Sequence, residues 1–121
     1  MIIYISRTGN VRYMVDKLGL PSVPIDANTQ ANQPYFLFTY TDGLGDIPAA
    51  VIKFIKKPVN QKFLRGVIAS GNVNFGDSFC KAADKLAQIF NVPIIRKIDL
   101  RGSEEDLRVI KSLHTKLIEG E

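Results

Sequence analysis

Short apolar runs alternate with stretches of helical periodicity from one end of the chain to the other. The runs predict five strands, at residues 2–5, 23–25, 35–40, 67–69 and 93–98. Apolar residues three and four positions apart predict four helices, whose inward residues would be Val11, Met14, Val15 and Leu18, then Val51, Phe54 and Ile55, then Phe79, Ala82, Ala83, Leu86 and Phe90, and finally Leu107, Ile110, Leu113 and Leu117. This alternation indicates βαβ units.

Glycine, proline and serine residues set the predicted ends of the helices. We expect the first helix to stop at Gly19, Pro48 to occupy the first turn of the second helix, and Pro58 to end it. Ser103, followed by three acidic residues, predicts a capped start for the last helix.

The connections between successive strands predict a parallel α/β sheet with helices on both faces, because such crossovers are almost always right-handed. Ligands of these sheets bind where loops leave the carboxyl ends of the strands at the topological switch point. Three loops should therefore converge there, at residues 6–11, 41–48 and 70–77.

The composition fits one globular domain and excludes several classes of protein. The chain has 121 residues, 45% of them hydrophobic and 23% charged, unlike disordered, collagenous or membrane proteins. Cys80 is the only cysteine, which excludes an internal disulfide, a CxxC pair and a cysteine-built metal site within a monomer. Any redox chemistry would need a borrowed cofactor. The apolar start is too short for a signal peptide or membrane span, so we expect a cytoplasmic protein with no membrane partner.

The charge balance favours an anionic partner or ligand. Sixteen Lys and Arg against twelve Asp and Glu leave a net charge of +4. The basic residues are scattered, without a long basic run or an RNA-binding aromatic signature, so we expect no nucleic acid partner.

The first loop, Ser6 to Val11, has the chemistry of a phosphate site. It offers two hydroxyls, an amide side chain, a glycine and the free N–H groups of a helix start. Neither GxGxxG nor GxxxxGK[ST] is present. The alternative is an ordinary polar turn closed by Ser6 and Thr8, with Asn10 capping the helix.

The other two loops suggest a mobile peptide and a stacking platform. Gly43 and Gly45 flank Leu44 and allow the backbone to change conformation, although Asp-Gly and Gly-Asp are also common turn dipeptides. Phe75 lies among polar residues outside any core periodicity, so it would stack on a flat ligand or, alternatively, anchor its loop. Tyr40 would border the ligand or be the last core residue of its strand.

These residues resemble the flavodoxin-like NrdI family over nearly the whole chain. The shared motifs are Ser-x-Thr-Gly-Asn-Val at 6–11, Thr-Tyr-Thr-x-Gly-x-Gly-x-x-Pro at 39–48 and Ala-Ser-Gly-Asn-x-x-x-Gly-Asp at 69–77. The resemblance implies one flavodoxin-like domain over residues 1–121, a three-layer sandwich whose five-stranded parallel sheet has the order 2-1-3-4-5. It also implies noncovalently bound FMN.

The resemblance assigns expected roles to individual positions. The phosphate would lie among Ser6, Arg7, Thr8, Gly9, Asn10 and Val11. The isoalloxazine would be flanked by Thr41, Asp42, Gly43, Leu44, Gly45, Ser70, Gly71, Asn72, Asn74, Phe75, Gly76 and Asp77, with Tyr40 as a further candidate at its border. The Gly43–Leu44 peptide matches the one that reorients on flavin reduction and hydrogen-bonds N5, and it is the expected catalytic element. Phe75 stands where the family often has Trp.

The function implied by the resemblance is that of a redox accessory protein rather than a stand-alone enzyme. Family members supply oxidant, superoxide or peroxide made from reduced flavin and O2, for assembly of a dimanganese-tyrosyl radical cofactor. The partners would be the small subunit of class Ib ribonucleotide reductase and an unidentified electron donor that reduces the flavin. The alternatives are a generic flavodoxin carrying single electrons and a cofactor-free interaction module. A phospho-receiver domain is disfavoured because Ser6 and Thr41 lie where it needs acidic residues.

Two single residues have separate expectations. Cys80 should pack in the core, because burial is usual for a free cysteine. His114, near the polar flank of the last helix, should be a solvated surface residue, since no second histidine or carboxylate cluster accompanies it. The sequence therefore predicts no metal site.

Overall fold

The computed structural model describes residues 1–121 and contains one five-stranded parallel sheet. Its strands are β1 (Ile2–Tyr4), β2 (Ser22–Pro24), β3 (Tyr35–Tyr40), β4 (Leu64–Gly71) and β5 (Ile94–Asp99). They lie in the order β2-β1-β3-β4-β5, and every neighbouring pair is parallel. The predicted flavodoxin-like α/β sandwich is confirmed.

Five α-helices cover the two faces of this sheet, namely α1 (Asn10–Leu18), α2 (Ala49–Ile55), α3 (Pro58–Lys62), α4 (Lys81–Phe90) and α5 (Glu104–His114). Residues of α2 and α4 pack in one core cluster, and residues of α1 and α5 pack in the other. None of the helices is both long and apolar enough to cross a membrane.

The central strand β3 links the two cores. Phe36 and Phe38 belong to the cluster with α1 and α5, whereas Tyr35 and Leu37 belong to the cluster with α2 and α4. Successive side chains of a strand point to opposite faces, so a strand covered on both sides must be apolar throughout. All four residues have no exposed surface, as the apolar run predicts.

Helix α2 ends before Pro58, at Ile55, in agreement with the prediction. The sequence did not predict that Pro58 also begins a further short helix, α3, at a position where its missing N–H has no partner to lose. The short helix buries Asn60 completely. Asn60 Oδ1 accepts the Ala31 N–H at 2.8 Å, and its Nδ2 donates to the Phe54 carbonyl at 2.8 Å. This polar side chain therefore joins α2 to the loop that precedes β3.

The third predicted helix starts later than its apolar pattern suggested. A 3-10 turn covers Val73–Ser78. Helix α4 begins at Lys81, directly after Cys80, whose φ of 51° is in the left-handed region. Cys80 has no exposed surface and packs in the α2–α4 core, which confirms its predicted burial. The first residue expected on the helix, Phe79, precedes it and packs at the edge of the same core.

The last helix begins as predicted and ends differently. Ser103 and Asp106 form a reciprocal capping box. After His114 the chain continues as a π-helical turn over Thr115–Glu119, whose wider turn changes which residues face inward. Leu117, expected to point inward, is 37% exposed, and Ile118 packs against the core in its place.

His114 is buried, so its predicted surface position is wrong. Its side chain is only 4% exposed and lies edge-on to the Phe36 ring, with centroids 5.5 Å apart. Nε2 is 2.7 Å from the Met1 amino group, and Nδ1 is 3.6 Å from Glu119 Oε1, beyond hydrogen-bonding distance. Burial, reinforced by the positive charge of Met1, lowers the pKa of His114.

We expect His114 to make stability fall in mild acid. Because its pKa is lower in the folded chain, the unfolded chain takes up a proton first as pH falls through about 6.5. The free energy of unfolding should then decrease towards pH 5, with a contribution of at most about 1.4 kcal/mol per pH unit. Urea denaturation at pH 7, 6 and 5 measures this slope. His114→Gln, which cannot titrate, should flatten the slope, and an unchanged slope would contradict this assignment.

Candidate functional site

The three predicted loops converge at the carboxyl edge of the sheet. The chain leaves β1 towards β2 on one side, while β3 lies on the other, which makes the gap between β1 and β3 the topological switch point. A cleft of about 200 Å³ opens at this edge. Its position agrees with the crevice expected for an open parallel sheet.

Most of the predicted cofactor-binding residues line this cleft. The lining ones are Arg7, Thr8, Asn10, Val11, Tyr40, Thr41, Gly43, Ser70, Gly71, Asn72 and Phe75. The remaining predicted residues belong to the same loops and lie outside the cleft lining, namely Ser6, Gly9, Asp42, Leu44, Gly45, Asn74, Gly76 and Asp77. The structure therefore brings all three loops together, while only part of each loop faces the cleft.

Three lining residues were not among the predicted cofactor contacts: Ser78, Cys80 and Leu100. Leu100 follows β5, and its N–H donates to the Gly71 carbonyl at 2.8 Å. Its own carbonyl accepts the Ser70 hydroxyl at 2.8 Å. Because β5 is the parallel neighbour of β4, the loop after β5 reaches the same edge of the sheet. The predicted topology could therefore have indicated that Leu100 lies near the cleft.

The first loop presents unused backbone donors. None of the N–H groups of residues 6–11 donates to a group of the protein. Gly9 precedes α1 with φ +95°, a conformation that side chains rarely adopt. Consecutive free N–H groups at the start of a helix, together with the helix dipole, favour an anion.

The alternative interpretation of the first loop, a closed polar turn with an Asn10 cap, is only partly met. Ser6 Oγ accepts the Arg12 N–H at 3.2 Å, so this hydroxyl does help to hold the turn. Asn10 makes no capping bond, because the residue at the cap is Gly9, which has no side chain to accept one. The Asn10 side chain instead contributes to the cleft wall.

The second loop is a tight hairpin closed by backbone hydrogen bonds. The Asp42 N–H donates to the Asp46 carbonyl at 2.9 Å, and the Asp46 N–H donates back to Asp42 at 2.7 Å. Gly43 and Gly45 have φ values of +46° and +113°, which explains the need for glycine at both positions. Leu44, at the tip, is 75% exposed.

Arg7 connects the first loop to the second. Its guanidinium forms an ion pair with Asp42 and lies over the Tyr40 ring, 4.4 Å from the centroid. Pairing with Asp42 raises the pKa of Arg7, so the guanidinium is positive at any physiological pH. Tyr40 thus lies at the border of the cleft, where it also packs against the core cluster that contains α1 and α5.

The third loop carries an exposed aromatic ring. Asn72 accepts the Asn74 N–H at 2.9 Å, and the Val73 N–H donates to Asp99 Oδ1 at 3.1 Å, so the loop is held from two sides. Phe75 is nevertheless 56% exposed and lines the cleft. This exposure argues against the alternative in which Phe75 anchors its loop.

Cys80 forms part of the cleft wall without being a reactive thiol. Burial raises the pKa of Cys80 to about 11, so the thiol is neutral at physiological pH. Its Sγ lies 3.3 Å from the Ala69 carbonyl oxygen. The structure also contains no group of three or more His, Cys, Asp or Glu residues arranged to hold a metal ion.

The cleft residues fit the predicted FMN. Thr41 Oγ1 is buried and has no hydrogen-bond partner, which is unusual unless a ligand supplies one. A flavin ring has polar atoms at its edge that can bond this hydroxyl and a flat face that can stack on Phe75. Its phosphate matches the free N–H groups of residues 6–11.

The same fold occurs in a known flavodoxin. A short-chain flavodoxin associated with a non-canonical PDU bacterial microcompartment superposes with a TM-score of 0.74 at 20% sequence identity. The match covers 98% of this chain and 95% of the flavodoxin. At this identity the similarity establishes the fold.

Sequence comparisons agree on the family. The family model described as "NrdI Flavodoxin like" matches residues 2–112. Protein NrdI of Ruegeria sp. (strain TM1040) is 39% identical over 114 residues, covering 88% of this chain and 81% of the relative. Protein NrdI of Enterobacter sp. (strain 638) is 34% identical over 119 residues, covering 92% and 88%. The chain therefore belongs to the NrdI family of flavodoxin-like proteins, and this membership and the fold imply a flavin cofactor.

Proposed function

We propose that the cleft binds FMN noncovalently and that the protein supplies oxidant for assembly of the dimanganese-tyrosyl radical cofactor of class Ib ribonucleotide reductase. The observation that carries the proposal is the set of unused N–H donors at residues 6–11, which opens onto the same cleft as Phe75 and the unpartnered Thr41 hydroxyl. Membership of the NrdI family supports the ribonucleotide reductase link.

The first loop would hold the phosphate. Its backbone N–H groups are fixed at the start of α1, where the helix dipole adds partial positive charge. The Thr8 and Asn10 side chains line the same part of the cleft and can add hydrogen bonds. Such donors need no rearrangement when the anion arrives, so they also fix its position.

The second and third loops would hold the ring. Phe75 supplies an apolar face, and Thr41 supplies a hydroxyl that lacks a partner within the protein. Gly43 lies on the cleft wall in a left-handed conformation, so the Gly43–Leu44 peptide can rotate at low steric cost to present its N–H or its carbonyl. That rotation is the catalytic contribution proposed for this peptide.

When bound and reduced, the flavin would transfer one electron to O2 to give superoxide, or two electrons with two protons to give hydrogen peroxide. An electron donor of unidentified kind would reduce the flavin again. The protein would contribute accessibility, because the hairpin tip at Leu44 and the Phe75 ring are both exposed at this edge. The small subunit of the reductase would dock there and receive the oxidant in its dimanganese site.

Radical assembly tests the proposal directly. The purified protein is loaded with FMN, reduced without oxygen, mixed with the manganese-loaded small subunit and exposed to air. We expect a tyrosyl radical signal by electron paramagnetic resonance at a level at least tenfold above a sample in which this protein is omitted. Equal signals in the two samples would contradict the proposed role.

Two control measurements separate the alternatives. A generic single-electron carrier would retain FMN and reduce cytochrome c without raising the radical yield. A cofactor-free interaction module would purify without colour and take up no FMN. Either result would replace the proposed function with the corresponding alternative.

A further inference from the structure

An apolar groove separates α2 from α4 on one face of the sheet. It has a volume of about 280 Å³, and six of its eight lining residues are hydrophobic. Ile55 and Leu86 form a buried floor, while Ile52 and Ile89 are 39% and 65% exposed. Large apolar side chains lining one open groove are more informative than apolar residues scattered over a surface.

The chain around this groove is strongly basic. Residues 47–63, which include α2 and α3, contain four basic residues and no acidic one. Lys56, directly after α2, and Lys62, at the end of α3, are exposed and take part in no ion pair. Lys56 is itself a lining residue of the groove. Free ammonium groups beside apolar surface favour a ligand that carries negative charge together with apolar groups.

One end of the groove reaches the hairpin of residues 42–46. Ile47, directly after the hairpin, is a lining residue. Lys81, Lys85 and Ile89 are four positions apart on α4 and so share one side of the helix. Lys81 packs against Gly45, where a Cβ added to the glycine would lie 2.9 Å from Cδ of Lys81. Nζ of Lys85 is 3.6 Å from Oδ1 of Asp46.

The groove and the flavin cleft are separate features. They have no lining residue in common. A molecule in the groove would therefore contact the outer side of the hairpin without entering the cleft.

We propose that this groove binds an acidic polypeptide segment with apolar side chains, supplied by a partner protein. The apolar side chains bury Ile52 and Ile89, and the carboxylates pair with Lys56 in the groove and with Lys62, next to the lining residue Gln61. A second copy of this chain fits less well, because a symmetric contact would bring two copies of the same basic surface together. The proposal does not depend on the identity of the cleft ligand.

Backbone amide chemical shifts test the proposal on the full-length 15N-labelled protein. The probe is a synthetic 12-residue peptide, acetylated and amidated, with two leucines among glutamates. We expect saturable shifts centred on Ile52, Lys56 and Ile89, and an apparent Kd that rises at least threefold between 50 and 300 mM NaCl because the attraction is screened. In one comparison peptide both leucines are replaced by serine, and in the other the glutamates are replaced by lysine. Each should bind at least tenfold more weakly than the probe peptide.

Matched variants locate the binding surface. Lys56→Glu and Ile89→Ser should each weaken peptide binding at least fivefold, whereas Lys111→Glu and Leu117→Ser, exposed residues associated with the other face, should change it less than twofold. Equal effects from both pairs, equal binding of all three peptides, or no shifts in the groove would overturn the proposal. Self-association that shifts the same groove residues without peptide would assign the groove to a second copy instead.

Discussion

Thr8→Asp should reduce the affinity for FMN at least 100-fold, which corresponds to about 2.7 kcal/mol. Thr8 lines the cleft within the loop whose N–H groups are free, so the new carboxylate would lie beside the proposed phosphate. Two unit charges about 6 Å apart at an effective dielectric of about 20 repel by about 2.8 kcal/mol, and the phosphate carries more than one charge. Quenching of flavin fluorescence on titration of the apoprotein measures the Kd.

Riboflavin provides the matched control, because it has the same ring and no phosphate. Its affinity should change less than threefold in Thr8→Asp, and Thr8→Ser should bind FMN nearly as well as the unsubstituted protein. An equal loss for both flavins would mean that the substitution disturbs the ring site or the fold. The first loop would then not be the phosphate site.

Asn60→Ala should lower the free energy of unfolding by about 3 kcal/mol. The substitution leaves the Ala31 N–H and the Phe54 carbonyl without their partner in a fully buried position. Each unsatisfied buried group costs about 1–3 kcal/mol, and the lost side chain adds a small cavity. Urea denaturation followed by circular dichroism gives the difference directly.

Gln61→Ala is the neighbouring control for Asn60. Gln61 is exposed and makes one side-chain bond, from Nε2 to the Ile55 carbonyl at 2.9 Å, so its loss should cost less than about 1 kcal/mol. A similar effect of both substitutions would show that the destabilisation comes from disturbing α3 as a whole. The assigned hydrogen bonds of Asn60 would then not explain it.

The strand order of the sheet could be predicted because few topologies are compatible with the alternation of strands and helices along the sequence. The run at Tyr35–Tyr40 is apolar or aromatic at five of its six positions, as expected for a strand covered on both faces. Right-handed crossovers then place the loops after β1, β3 and β4 at one edge. The position of the candidate cleft followed from topology before any side chain was located.

The wrong or missing predictions concern residues whose position in the fold is unusual for their residue type or for a regular helix. His114 is a polar residue of a type that is often exposed, and only its tertiary contact with Met1 explains its burial. The burial of Asn60 had no signal in the sequence, because it depends on contacts with Ala31 and Phe54. Pro58 was taken only as a stop signal, and the helix that it begins was not predicted. Leu117 was placed by a period of 3.6 that the π-helical turn does not keep.

The candidate site was predicted at the level of loops better than at the level of side chains. Composition indicated which loops carry hydroxyls, amides and glycines, whereas the direction of each side chain depends on backbone geometry. Leu44 and Asp42 belong to a hairpin closed by mutual backbone bonds, of whose residues only Gly43 lines the cleft. Leu100 enters the site through two bonds to β4 that no local pattern indicates.

A crystal structure of the protein grown with FMN tests the central claim most directly. The account predicts a flavin phosphate within hydrogen-bonding distance of the N–H groups of residues 6–11, with the ring beside Phe75 and a ring atom bonded to Thr41 Oγ1. A flavin located elsewhere, or a cleft that stays empty at saturating FMN, would contradict it.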